Sequence, residues 1–503
     1  MALAALVLVA AVLAVTVYLL LNKRRFQLTA KFPQPLLWLP GIGGLADTIY
    51  HYGLSGMAWC FGYYKRFGPV WGMWIGPEFF VITAVAEDIE AIVTSPAVID
   101  KGKNYALIWP WLGDGLLLLG AKKWHARRKQ LTPTFHFRIL EQFMDVFTEK
   151  GVVLEGLVDG LVGKGVVDLR PYISRHALDV ICETTMGTQL NCQLQEDSGF
   201  VQAVKVACKA VDDRHAYPWL RNDALFRMTR IAKEFYGALD IIHGVTKKVI
   251  ADRKSDLTKE MKEGVLDADN NDEILGTKKR KMFIDHLLTM HLQGEDLSEK
   301  DIFDEVNTFM FEGHDTTMTS VCFTLFLLAT HPEVQDRVAE EARSVGGTST
   351  SAQLGELKYL EAVIKESLRL YPSVPLYSRH AHDEFKLPSG YTVPAGATLL
   401  INAYLMHHRE EYFKDPSAFK PERFLSGSSE ESSRHHFSYV PFSAGYRNCI
   451  GQRFAMLSMK ATLARLVSKF RFLPDSADPK LDLDVQVVLV SKSGLPLVVE
   501  RRD

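Results

Sequence analysis

The residues with the most chemical content lie near the C-terminal end, in FSAGYRNCIG, residues 442–451. Cys449 stands two residues after Arg447 and two before Gly451, and the nearest other cysteine along the chain is Cys322. A pairing partner therefore has no local support. An apolar-periodic segment runs from Ile450 to about Val467, which predicts a helix whose N-terminus begins at Cys449. A thiol at such a place meets unsatisfied N–H groups and the positive end of the helix dipole, which favours the thiolate and makes the sulfur a good metal ligand. Gly445 and Gly451 let the backbone pass close to a flat object, Arg447 can neutralise an anion beside it, and Phe442 supplies apolar cover. Most free cysteines are small buried hydrophobes, so the spacing by itself leaves both readings open.

A second group lies in FEGHDTT, residues 311–317. Glu312, Asp315 and Thr316 stand at i, i+3 and i+4, on one face of a helix, and are expected to converge on one point. An acid beside a hydroxyl in mid-helix is costly unless both are used or satisfied, because each competes with the helix for hydrogen bonds. A satisfied polar stripe is the competing account.

These groups need elements to position them. SEKD offers a Ser298 cap with Asp301 three residues on, followed by Ile302, Val306, Phe309 and Met310 at helical spacing. Nothing breaks that pattern before His331-Pro332, so a helix of about 32 residues, ~48 Å, is expected to run through the core. A second helix is expected over 359–370 and ends just before Pro372. Residues 70–83 read as a hairpin around Gly76-Pro77. The polar stretch 254–281 reads as an exposed loop. The fold class expected is mainly α with small β-sheets.

The 503 residues carry a formal net charge of −2, and neither half has the basic excess that a nucleic-acid partner requires. The six cysteines show no CxxC pair, which argues against a disulfide framework or a zinc site. Residues 2–21 are free of charge and would span ~30 Å as a helix, the thickness of a hydrocarbon core. Lys23, Arg24 and Arg25 follow this run, so a single-pass transmembrane anchor with the body in the cytosol is expected over residues 1–25. A cleaved signal peptide, the alternative, would be shorter and preceded by its charges. Pro33, Pro35 and Pro40 predict a stiff hinge over 26–45, leaving 46–503 as the folded body.

Phe442, Gly445, Arg447, Cys449 and Gly451 together fill the pattern FxxGxRxCxG, and through them the sequence resembles the cytochrome P-450 superfamily. The resemblance extends along the chain: Glu366 and Arg369 match its ExxR helix motif, and Arg423 in PERF matches their third partner. Glu312 stands where most of the superfamily has a small residue. With NTFMFEGHDTT, PWLGDGLL (110–117) and LTPTFHF (131–137), it resembles the fourth family, the fatty-acid ω-hydroxylase branch. Tyr446 departs from relatives, which often have proline there.

The resemblance implies a cytochrome P-450 fold and a haem b held by Cys449, with propionate contacts from Trp124, Arg128, Arg379 and Arg447. It implies that Asp315 and Thr316 serve proton delivery during dioxygen activation, and that Glu312 forms an ester with a haem methyl. Glu366, Arg369 and Arg423 would be scaffold. Electrons would come from NADPH-cytochrome P-450 reductase, a flavoprotein, with cytochrome b5 as a further partner, at the endoplasmic reticulum membrane. Lys122, Lys123, Arg127 and Lys129 read as a solvated basic face where an acidic reductase would dock. The loop 105–119, Phe309 and Val374–Leu376 are expected to line the pocket for a lipophilic substrate. A haem-thiolate isomerase or dehydratase and a haem sensor remain the other two classes, and the acid–alcohol pair argues against the first.

Overall fold

The computed structural model describes residues 2–35, 56–195, 199–262, 282–428, 430 and 434–502. Helix α1 (Ala2–Leu21) has no charged residue, and its described side chains are exposed. Counted over the described residues, no helix is long and apolar enough to cross a membrane, and α1 includes positions outside that count. Part of the expected hinge is ordered: Lys23–Thr29 is helical, Leu28 and Phe32 are buried, and Phe32 stacks on Tyr391 with ring centroids 4.7 Å apart. Residues 36–45 of the hinge lie outside the described residues.

The expected hairpin is present. β1 (Val70–Ile75) and β2 (Glu78–Thr83) pair antiparallel across Gly76, whose φ of 59° only glycine adopts without strain. Then come α2 (Ala121–Leu131), β3 (Val166–Asp168), α3 (Arg170–Thr185), α4 (Gly199–Ala216) and α5 (Arg230–Lys262). The C-terminal half holds α6 (Glu299–Thr330), α7 (Lys358–Leu370), β4 (Leu376–His380), β5 (Thr398–Asn402), α8 (Gln452–Lys469) and β6 (Phe470–Pro474). β7 (Leu483–Gln486), β8 (Val488–Ser491) and β9 (Pro496–Arg501) end the chain. The larger sheet has the order β1-β2-β5-β4, with β2 and β5 parallel; a smaller one has the order β3-β9-β6. The mainly helical reading with small sheets holds.

Helix α6 begins with the expected capping box: the Asp301 N–H donates to Ser298 Oγ at 3.1 Å, and the Ser298 N–H donates to Asp301 Oδ2 at 2.9 Å. Most of its residues are buried, because α3, α5, α7 and α8 all pack on it. The crossing with α3 is tight at Gly313, where a Cβ would stand 2.4 Å from Ile181 Cδ1.

Two local expectations fail. Residues 254–262 are helix, not loop: α5 runs on to Lys262, with Leu257 buried, Lys254 paired to Glu299 at 2.7 Å and Arg253 bridging Asp285 and Glu260. Tertiary ion pairs thus override a weak local pattern, and residues 263–281 lie outside the described residues. The helix after the cysteine starts at Gln452, three residues later than expected, with Gly451 as its N-cap, and the Cys449 N–H is turned back to Phe442 O at 2.9 Å.

Candidate active site

The scaffold beneath the cysteine loop is built around α7. Arg369 and Glu366 are fully buried and joined by two hydrogen bonds, Nε to Oε2 at 2.7 Å and Nη2 to Oε1 at 2.8 Å. Arg369 also donates to the carbonyls of His407, Pro416 and Ala418, while the Lys420 N–H and Arg423 approach Glu366. Each of these contacts fixes a point on the irregular chain leading to residue 442.

The loop itself is held from three sides. Gly445 has φ of 65°, and a Cβ there would stand 2.0 Å from the Val93 carbonyl oxygen, so glycine is needed against backbone as well as for torsion. The same carbonyl accepts the Tyr446 N–H at 3.3 Å, a bond that proline could not make. Arg128 of α2 donates to Asn448 O at 2.7 Å and to Asn448 Oδ1 at 2.8 Å. Arg447 stacks over Trp124 at 4.6 Å and donates to the carbonyls of Leu116, Leu117 and Leu119.

Cys449 is accessible, yet burial is the largest influence on its thiol. Both hold for a group that lines an internal hollow. Glu312 of α6, Arg128 and Lys101 all act on it electrostatically, so α6 passes near the loop. Burial and then Glu312 push the thiol up to about 11, and a hydrogen bond from the Gly451 backbone pulls it down. The protein alone therefore keeps the sulfur protonated, and metal coordination would have to displace that proton. Gly451 is the N-cap of α8, so the thiol meets the start of that helix through this one backbone N–H.

Lys101, which sequence reading missed, shares this hollow. Burial and then Arg379 and Arg447 hold its ammonium well below the usual lysine range, while Glu312 and Cys449 act in the opposite sense. Glu312 is pushed up to about 7 by burial, against Lys101 and Arg128. Arg379 on β4 is 1% exposed and donates to Ser378 O at 3.1 Å, but its Nη2 has no partner; Arg447 Nε is likewise buried and unpaired. Buried guanidinium nitrogens without partners are expensive unless an anionic ligand meets them. One accessible sulfur and a set of cations with open donors fit a dianionic porphyrin iron. Cys449 would ligate the metal, and Arg379 and Arg447 would meet the propionates beside Trp124 and Arg128.

The acid–alcohol face is less convergent than expected. Thr316 Oγ1 donates to its own helix at Glu312 O, 2.6 Å away. Asp315 turns toward α4, where Cys208 Sγ is 3.9 Å from Oδ2, and it feels Arg170 at the start of α3. Burial raises it to about 6, and Arg170 opposes. Glu312 and Asp315 thus answer to different partners, because positions three apart on a helix still diverge by about 60° in direction.

Three other expectations need correction. Arg127 is not solvated: it is buried and paired with Glu305 at 2.9 Å and Asp301 at 3.3 Å, whereas Lys122, Lys123 and Lys129 are exposed. Glu305 also receives the Leu116 N–H at 3.0 Å, and Asp304 receives that of Asp114 at 2.9 Å, so α6 staples the loop 113–119 in place. Phe309 packs between Phe283 and Phe135, at 4.1 and 5.6 Å, as core. Trp111 and Leu112 are buried as core as well, whereas Tyr105, Leu117, Leu118, Val374 and Leu376 are half-buried.

Comparison with known proteins agrees with this geometry. The Cytochrome P450 family model matches residues 33–498. A probable cytochrome P450 4s3 of Drosophila melanogaster is 41% identical over 440 residues, covering 87% of each chain. Cytochrome P450 4c3 of the same fly is 37% identical and covers 96% of this chain and 92% of its own. Human cytochrome P450 4V2 is 39% identical over 87% of this chain and 83% of its own. With the matched motifs standing around one accessible thiol, the chain belongs to the cytochrome P450 superfamily, in its fourth family, and is a cytochrome P450 monooxygenase.

Proposed function

We propose that this monooxygenase hydroxylates fatty acids at or near the ω carbon. The balance is RH + O2 + NADPH + H+ giving ROH + H2O + NADP+. A bound haem supplies the redox chemistry of dioxygen activation. The chain's own residues do the rest: Cys449 ligates, Phe442 covers the sulfur, and Arg379, Arg447, Arg128 and Trp124 hold the propionate side. Asp315 and Thr316 handle protons, and half-buried apolar side chains admit a chain-like substrate and exclude water.

The observation that carries this reading is Glu312, a carboxyl from α6 set in the same hollow as Cys449. We assign it an ester bond to a haem methyl. Its oxygen replaces a hydrogen on that carbon, a two-electron oxidation that the NADPH and dioxygen cycle can provide. A rigidly held haem would favour attack on the less reactive terminal carbon by limiting the approach of inner ones. Electrons arrive from NADPH-cytochrome P450 reductase, with cytochrome b5 as a second donor, at the exposed Lys122, Lys123 and Lys129. The charge-free run of α1 anchors the protein in the endoplasmic reticulum membrane, with the catalytic domain in the cytosol.

Incubation with reductase, NADPH and a graded series of fatty acids tests the assignment. Terminal alcohols are expected, and NADPH consumption without hydroxylated acid would sink it. Mass spectrometry of acid-denatured protein tests the ester, with haem expected to stay on the polypeptide and complete release counting against it.

A further inference from the structure

Three hydroxyls along one face of α6 fold back on their own helix. Thr316 Oγ1 donates to Glu312 O at 2.6 Å, Ser320 Oγ to Thr316 O at 3.0 Å, and Thr324 Oγ1 to Ser320 O at 2.7 Å. Back-bonding of this kind bends helices and loosens the local ladder. The turn from Thr316 to Ser320 therefore benefits from an outside tie. Ser373, three residues past α7, supplies one: its Oγ lies 2.8 Å from Thr316 O and 2.7 Å from Ser320 Oγ. Both serines are buried, and Ser373 is itself fixed by the Leu489 N–H of β8, which donates to Ser373 O at 2.8 Å. In this triangle two hydroxyl protons serve three contacts, so the Thr316 carbonyl receives at least one of them. Only Ser373 belongs to another element.

We propose that Ser373 is a positioning residue for Thr316. Through the Thr316 carbonyl it holds the turn from Thr316 to Ser320, and so fixes the backbone that sets where the Thr316 hydroxyl stands when protons are delivered. This rests on the proton-handling role assigned to Thr316, not on the identity of the substrate. Loss of the Ser373 hydroxyl leaves Ser320 as a donor to the same carbonyl, so no buried group is stranded and the fold should persist.

The test uses full-length holoenzyme with reductase, and S373A beside S373T, which restores a hydroxyl. The hydrogen peroxide released per NADPH oxidised is measured with and without dodecanoic acid; the substrate-free arm reads Ser373 even if that acid is no substrate. S373A is expected to raise the peroxide fraction by about three- to tenfold, what one net hydrogen bond of positioning is worth, with S373T within about twofold of wild type. Amide exchange at Ser320, read on the protein at rest, should quicken in S373A and recover in S373T. An unchanged peroxide fraction, or S373T behaving like S373A, would overturn the proposal. Should S373A lose its thiolate-type Soret band, S320A is read instead: Ser373 still holds the carbonyl there, so a rise as large as the one above would also overturn it.

Discussion

Two sets of buried arginines are treated oppositely. Arg369 meets the Glu366 carboxylate and three backbone carbonyls, so its donors are closed inside the protein. Arg379 and Arg447 are nearly as buried, yet each keeps a nitrogen with no partner. A closed network is a structural part, and its worth appears in folding. An open one carries a desolvation cost that only a ligand can offset, and its worth appears in binding. The two sets lie within one region of sequence, and residue type does not separate them.

The sharpest way to break the comparison is to remove what both sets surround. Cys449→Ser should abolish the red-displaced Soret band of the reduced carbon monoxide complex and all oxygenation, while far-UV circular dichroism stays near wild type.

Next in size is the closed network. Arg369→Ala takes from buried Glu366 the cation that holds both its oxygens, leaving only the longer contact to Arg423, and such losses cost about 3–5 kcal/mol. The urea midpoint should fall accordingly, or the protein should fail to accumulate.

Arg379→Ala probes the open set and should behave in reverse. The haem-free protein should lose no more than about 1–2 kcal/mol, because the change strands only the Ser378 carbonyl and removes the unpaired Nη2 with it. Haem transfer to an acceptor globin should instead quicken by about ten- to a hundredfold, the worth of one charge-assisted hydrogen bond. A large loss of apo-protein stability would place Arg379 with Arg369 and end the distinction.

The smallest effect sharpens the comparison from between the two sets. Arg127 is closed on Glu305, but burial raises that carboxyl from 4.5 to about 7, against the pull of Arg127. In Arg127→Ala the acid can take a proton, so the cost should be only about 1–3 kcal/mol near neutrality and should grow toward pH 8. In the wild type the folded state holds this proton more tightly than the unfolded chain. Its contribution therefore falls as pH rises from about 4.5 to about 7, which urea denaturation across that window would register.

The long helix, its capping box, the hairpin and the ExxR helix were legible because each rests on local periodicity or capping chemistry between near neighbours. The cysteine loop was legible as a motif, but its reasons were not. Gly445 is demanded by the Val93 carbonyl, and the loop is clamped by Arg128 through Asn448, contacts that no spacing reveals. Lys101 and Glu305 carried no signal, since a lone lysine and a helical glutamate look like surface until their surroundings are known. Arg127 misled for the same reason.

The sequence by itself determined the family, the long helix, the ExxR helix and the thiol at residue 449, because these follow from residue types at short, fixed separations. Only the tertiary structure decided which buried charges are closed and which stand open, and that Asp315 turns away from Glu312. Burial and electrostatic partnership depend on segments hundreds of residues apart in the chain, and folding alone brings them within reach of one another.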